Sequence, residues 1–461
     1  MKNFWKVSAC TLLALSMAAC SSGGAADDTK TDDSKGGADA ASSDALSGTY
    51  SYHVGGYDWG AGTDKVIVKL SKKIDSVDKD TFKVTETKQN TDWTKEDTPV
   101  IEDTYDRVVE DAYLSDAEGN KVDEASDYAT LDLYVSPSDG SPLLYTAATG
   151  YNTWSDPYYL EITLADGAKL ASEGTDITEL TIEKEATGRT TDADKFEVSS
   201  FEAGDGVKYE YGLFTPEEKS KTLFVWLHGK GEGGKQTEGD LTDPYVTSLA
   251  NKVTAYTGED FQKLTGGANV LVPQCPTFWM ASDDSSDPNI SALESGLRES
   301  YYTKSLVELI DKVKADTGSE KVVVAGCSNG GYMTMILALE QGDKYDAYIP
   351  ICEALKDEYI TDEDIQKLKD LPMYFIYAAN DPTVVPDEYE IPTLKRLEEA
   401  GATKVVAWVP DKVVDTSGKY KDEDGNPHEY SGHWSWVYFD NNEANDEGQP
   451  TVFEWIGEQV K

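Results

Sequence analysis

Two rhythms of hydrophobic and polar positions divide the chain. Between residues 48 and 188, short runs of β-branched and aromatic residues alternate with polar ones: KVIVKLSKKI (65–74), TFKVTET (81–87), YATLDLYVS (128–136), YYLEITLA (158–165) and ITELTIEKE (177–185). A period of two is that of a strand with one buried face. Clusters of Gly, Asp, Ser and Pro separate the runs, and no long amphipathic helix interrupts them. The pattern predicts an all-β sandwich of about seven strands. Within it, YHVGGYDWGAGTDKVIVKL (52–70) is rich in aromatic residues and glycine and is read as packing rather than a ligand site.

From about residue 189 to 461 the rhythm changes. TLFVWLHG (222–229), NVLVPQ (269–274), KVVVAG (321–326), AYIPIC (347–352), MYFIYAA (373–379) and VVAWVP (405–410) are continuous apolar runs. Strands buried on both faces read this way, which predicts a mostly parallel, doubly wound sheet. Helical spacing falls between the runs. In YYTKSLVELIDKVKADTG (301–318), Leu306, Ile310 and Val313 share one face and Gly318 ends it; in TVFEWIGEQVK (451–461), Phe453, Ile456 and Val460 do the same.

Composition narrows the setting. Acidic residues outnumber basic ones 86 to 41, a formal charge of -45, which excludes a phosphate-neutralising nucleic-acid partner. The opening MKNFWKVSACTLLALSMAAC has two lysines, an apolar run too short to span a bilayer, and small residues before Cys20. Ala18, Ala19 and Cys20 resemble a bacterial lipobox, although Met17 replaces the usual leucine. The reading is a lipoprotein signal over 1–20, lipidation at Cys20 and a cell-surface protein anchored to a bacterial membrane. Residues 21–47, rich in Ser, Gly, Ala and Asp, are expected to be a flexible tether. Cys275, Cys327 and Cys352 are then left over, an odd number read as small buried hydrophobes.

In a parallel sheet, functional groups collect after the carboxyl ends of the strands. His228-Gly229-Lys230-Gly231 follows one apolar run, Cys327-Ser328-Asn329-Gly330-Gly331 another, and Asn380-Asp381 a third; the loop after the last run ends in Ser431-Gly432-His433-Trp434. Ser328 sits in G-x-S-x-G between a buried strand and a helix. Glycines at 326 and 330 remove the side chains that would collide at so sharp a turn. Ser328 is the expected nucleophile, and Cys327, one position early, the core beneath it. A serine hydroxyl needs a base. Of the four histidines, His53 lies in the sandwich, His228 is read as a loop brace and His428 as solvated loop, which leaves His433. Asp381, directly after a strand and before His433, is the expected acid that holds the imidazole. The backbone amides of Asn329 and Lys230, with Gly231 as the neighbouring alternative, are the expected oxyanion hole.

These residues carry a resemblance. LHGKGEGG, VPQCPTFW, GCSNGGYMT, AANDPTVVP and GHWSW together resemble secreted bacterial α/β-hydrolase esterases of the predicted-peptidase and polyhydroxyalkanoate-depolymerase-like branch. YDWGAGTDKVIVKLSKKID resembles the immunoglobulin-like domain that precedes the catalytic domain in one extracellular esterase family. The resemblance implies an α/β hydrolase fold over 189–461 behind an immunoglobulin-like sandwich over 48–188. It assigns Ser328, Asp381 and His433 to a triad and Lys230 and Asn329 to the oxyanion hole. Glu353 stands where that pattern has glycine. The expected activity is hydrolysis of small acyl, aryl or carbohydrate-linked esters without cofactor or metal. A serine peptidase and a non-catalytic binding protein are the competing readings. Trp279, Trp434 and Trp436 are candidates for stacking at the pocket mouth. The acidic loops DEDGN (422–426) and DNNEANDEG (440–448) lack EF-hand spacing and read as solvated.

Overall fold

The computed structural model describes residues 45–234, 243–283 and 298–461. The expected signal, Cys20 and most of the tether lie outside the described residues.

The alternating segment folds as β1 (Ala45–Tyr57), β2 (Gly60–Ile74), β3 (Phe82–Thr91), β4 (Val100–Arg107), β5 (Val109–Ser115), β6 (Ser126–Leu133), β7 (Leu143–Thr146), β8 (Tyr151–Trp154), β9 (Tyr158–Leu164), β10 (Leu170–Ser172), β11 (Thr175–Ile177), β12 (Glu179–Ile182) and β13 (Gly188–Thr191). One sheet runs β12-β1-β2-β6-β5, with β13 on a further stretch of β1; the other runs β4-β3-β9. Val66, Val68 and Leu131 from the first sheet and Val84, Leu160 and Ile162 from the second share one core. The hairpins β7-β8 and β10-β11 stand outside the two sheets.

The seven expected strands become thirteen among the described residues. The additional ones lack a clean alternation. β4, for example, is exposed along most of its length and is held by pairing with β3 from Val84↔Arg107 to Thr91↔Val100. β1 starts at Ala45, inside the expected tether, because Ala45–Gly48 pair in parallel with Glu179–Ile182 and Leu46 is buried. Composition of a short window cannot reveal a partner more than a hundred residues away.

The second segment forms an eight-stranded sheet from β14 (Glu197–Glu202), β15 (Lys208–Phe214), β16 (Thr222–Leu227), β17 (Asn269–Gln274), β18 (Lys321–Cys327), β19 (Ala347–Ile351), β20 (Met373–Ile376) and β21 (Val405–Trp408), in the order β14-β15-β17-β16-β18-β19-β20-β21. β14 and β15 are antiparallel; β17 onward are parallel. Helices α1 (Pro244–Leu249), α2 (Glu259–Leu264), α3 (Thr303–Thr317), α4 (Asn329–Gln341), α5 (Asp362–Leu368), α6 (Glu390–Glu399), α7 (Trp436–Asp440) and α8 (Val452–Gln459) lie between and after the strands. Successive residues of β18 feed different cores. Val322 and Val324 pack with α3 and α4, whereas Val323, Ala325 and Cys327 pack with α7 and α8. This two-sided burial explains the unbroken apolar runs. β21 departs from it. As the edge strand it leaves Val406 38% exposed.

The sandwich docks on the second of these cores. Val54, Ala61 and Leu143 join Leu249 and Val253 there. Polar ties reinforce the seam: Lys252 Nζ donates to Asp58 Oδ1 at 2.8 Å, and Asn441 Nδ2 to Asp58 Oδ2 at 3.1 Å.

Candidate active site

β18 turns into α4 through the single residue Ser328, whose backbone is held at φ 54, ψ -114. A non-glycine residue reaches such a conformation only where its surroundings impose it. Two contacts do so. A Cβ at Gly330 would lie 1.9 Å from the Leu227 carbonyl oxygen, and one at Gly326 2.6 Å from the Gly330 carbonyl oxygen. Only bare backbone lets α4 start this close to β16 and β18. The Ser328 hydroxyl is thereby raised at the N-terminus of a thirteen-residue helix, where the dipole favours negative charge.

Three strand ends converge on it. His433 Nε2 accepts from the Ser328 hydroxyl at 2.9 Å, and His433 Nδ1–H donates to Asp381 Oδ2 at 2.7 Å. The other Asp381 oxygen accepts from the Thr383 and Val384 amides at 2.7 and 3.0 Å, which fixes the carboxylate. Its side chain is fully buried and that of His433 only 12% exposed, so water competes weakly for either bond. His433 stands on a short 3-10 turn whose first residue, Gly432, presses on Asn380. The face of Trp436 meets the imidazole edge-on at 5.7 Å.

Cys352 lies beneath this chain. Its sulfur, an Asp381 oxygen and a His433 nitrogen all fall within 4.8 Å of one another. That spacing would admit a metal ion. However, the His433 nitrogen facing Asp381 is already engaged in the 2.7 Å hydrogen bond, and burial pushes the Cys352 thiol far above its usual range. The arrangement holds a neutral thiol under the hydrogen-bond chain. Cys275, Cys327 and Cys352 are all free and buried.

The remaining histidines stand apart. His228 is fully buried; its Nδ1–H donates to the Gly229 carbonyl at 2.5 Å and its Nε2 accepts from the Cys275 amide at 2.9 Å. Burial lowers it to about 4, so it stays neutral and staples the ends of β16 and β17. His428 packs on Tyr430. His53 pairs with Asp64 at 2.8 Å in the sandwich.

The Gly229–Glu232 loop is brought beside Ser328 by the register Leu227↔Gly326 and by Gly229 packing on Cys327. Lys230 opens a 3-10 turn there, and Asn329 opens α4, so both backbone amides belong to element N-termini flanking the serine. The Asn329 side chain has a separate task. Its Oδ1 accepts from the Trp279 amide at 2.6 Å. Trp279 is consequently fully buried and cannot stack at a pocket mouth, contrary to expectation. Trp436 is 8% exposed and packs against His433, whereas Trp434, stacked on it, is only partly buried.

One residue of this neighbourhood carries no sign of its role in the sequence. Glu232 is 6% exposed, and its Oε1 accepts from Asn152 Nδ2 of the sandwich at 3.0 Å. Burial pushes its carboxyl up to about 7, against hydrogen bonds from Asn152 and backbone amides. No local signal marks a contact across eighty residues. Glu353, where the resemblance led us to expect glycine, is fully buried and packs under Gly331 of α4. One of its oxygens accepts from the Leu355 amide at 2.6 Å, and burial pushes the carboxyl up to about 8.

Residues 53–175 match the family described as the esterase Ig-like N-terminal domain. The chain carries an esterase Ig-like domain. Beyond that domain, the fold as a whole is similar to the crystal structure of a thermostable esterase, with a TM-score of 0.66 and 20% identity over 89% of this chain and 99% of that one. A ferulic acid esterase is a more distant likeness, at 10% identity and a TM-score of 0.36 over 58% of this chain and 98% of that one. No curated protein sequence matches the chain. The Ig-like domain and the mixed sheet thus recur together, in one solved structure, over nearly its full length.

Proposed function

We propose that the protein is a serine carboxylic ester hydrolase of the α/β-hydrolase fold, acting through an acyl-serine intermediate. The observation that carries the reading is the unbroken hydrogen-bond chain from Asp381 through His433 to a strained Ser328. In this reading Ser328 Oγ attacks the ester carbonyl carbon while its proton moves to His433 Nε2. The oxyanion forms against the Asn329 and Lys230 amides. His433 then protonates the departing alcohol, and the carbon–oxygen bond to that alcohol breaks. Water repeats the sequence on the acyl-serine, giving its proton to Nε2, and collapse returns that proton to Ser328. Asp381 keeps the Nδ1 tautomer in place and stabilises the imidazolium without taking the proton.

The substrates in this reading are small acyl, aryl or carbohydrate-linked esters. The protein would act outside the cell, anchored through a lipid on Cys20. Turnover of p-nitrophenyl esters beside aminoacyl anilides tests the chemistry. Ester turnover abolished by Ser328→Ala is the expected result. Faster anilide turnover would make the protein a peptidase, and no turnover of either would make it a binding protein.

A further inference from the structure

A cavity of about 670 Å³ opens in the Ig-like domain, at its seam with the second body, and the ester chemistry makes no use of it. Its walls come from five separated stretches: the β1–β2 turn with Trp59, the β3–β4 region with Asn90, Trp93 and Asp103, the loop after β6, the β7–β8 hairpin with Tyr145 and Asn152, and Ala250 after α1. The volume lies within the range of small-ligand sites.

Three observations bear on what it holds. First, Trp93 is 59% and Tyr145 42% exposed, and their rings lie nearly parallel, 22° apart with centroids at 6.1 Å. Stacked on each other and still this exposed, the two rings present an apolar platform to water. Such a platform suits a ligand with one apolar C–H face and polar edges, because the negative face of the ring attracts the weakly positive C–H groups.

Second, hydrogen-bonding groups of both kinds surround the platform. The amides of Asn90 and Asn152 and the carboxylate of Asp103 line the same space. A pyranose ring has an apolar face and hydroxyls at its edge that both donate and accept.

Third, the cavity is built on a rigid base. Lys88, 5% exposed, reaches inward to donate to the carbonyls of Ser141 at 2.5 Å and Leu143 at 3.3 Å. The Tyr105 hydroxyl donates to Glu86 at 2.5 Å, and Glu86 is paired with the buried Arg107. Arg107 Nη2 in turn donates to the Thr63 and Tyr134 carbonyls at 2.9 and 2.8 Å. The walls are therefore set before any ligand arrives, which lowers the entropy lost on binding. Charge refines the class. Lys88 is spent on carbonyls, Asp103 faces the space, and the chain carries a net charge of -45. A polyanionic ligand would be repelled.

We propose that this cavity binds a neutral oligosaccharide chain. The hairpin that forms one wall also touches the loop beside Ser328: Asn152 donates to Glu232, and a Cβ at Gly150 would lie 3.6 Å from Lys230 Cε. A sugar chain on the Trp93–Tyr145 platform is thus held by the same hairpin that braces the Lys230 loop. The consequence, that the esters attacked are borne on neutral polysaccharide, rests on the ester-hydrolase reading; the binding itself does not.

Calorimetric titration of the full chain tests it, using xylohexaose, cellohexaose, mannohexaose and hexagalacturonate up to about 5 mM. At least one neutral hexasaccharide is expected to bind with one-to-one stoichiometry, and hexagalacturonate is not. Trp93→Ala and Tyr145→Ala should each weaken that binding about tenfold while leaving the thermal unfolding midpoint in place, since both side chains are largely exposed. Absence of binding by all three neutral sugars overturns the proposal, as does binding that neither substitution alters. Self-association that Trp93→Ala abolishes, without sugar binding, also overturns it and makes the platform a protein interface. Sugar binding by a protein that hydrolyses no ester leaves this proposal standing and removes the ester-hydrolase reading alone.

Discussion

Glu232 ties the Ig-like domain to the loop beside Ser328, and replacing it with glutamine gives a result whose sign and size follow from the structure. The carboxyl is buried and rises from an ordinary 4.5 to about 7. A carboxyl whose proton affinity is higher in the folded state contributes stability that is complete below pH 4.5. That contribution is lost as pH rises through 7. At about 1.4 kcal/mol per tenfold change in affinity, the whole loss is about 3 kcal/mol, and most of it falls between pH 5 and 8. Glutamine keeps an oxygen to accept from Asn152 but does not titrate. Relative to wild type, Glu232→Gln should therefore gain about 2 to 3 kcal/mol of stability between pH 5 and pH 8. Urea unfolding of both proteins at four pH values, followed by tryptophan fluorescence, measures the gap; titration of all other groups is common to both and cancels. A gap constant to about 0.5 kcal/mol across the range would refute the reasoning, because Glu232 would then ionise as readily in the fold as in water.

Other outcomes follow from the same contacts. Asn152→Ala removes a hydrogen bond that favours the ionised Glu232, so the fall in stability should begin at the same pH but extend to higher pH and grow larger, read in the same unfolding series. Gly330→Ala forces a methyl to 1.9 Å from the Leu227 carbonyl and should cost about 3 kcal/mol or more, seen as a lower unfolding midpoint or loss of soluble protein. Asp381→Asn leaves the shape of the 2.7 Å contact but favours the wrong imidazole tautomer. Ester kcat should fall about 10⁴-fold with the melting temperature little changed, as steady-state kinetics and calorimetry would show.

Much of the second body was legible because its signals are local. A strand buried on both faces is apolar at every position, so β16 to β20 could be read from runs of four to seven residues. The turn at Ser328 was legible for the same reason, since the glycines that make room for it lie two residues away on each side. His433 stood out from His428 because the Gly and Trp residues around it suit a packed turn. Contacts between distant segments were not legible. Burial of Trp279 follows from its amide meeting Asn329, and that of Glu232 from a sandwich hairpin eighty residues earlier. The first residues of β1 have the composition of a tether and become a strand only because β12 lies alongside. The cavity around Trp93 and Tyr145 is assembled from five stretches, none of which carries a motif.

Fluorophosphonate labelling followed by peptide mass spectrometry tests the central claim most directly. The account predicts one phosphonylated site, Ser328, loss of ester turnover in proportion to labelling, and neither label nor turnover in Ser328→Ala. Label on another residue, or ester turnover that survives in Ser328→Ala, would contradict it.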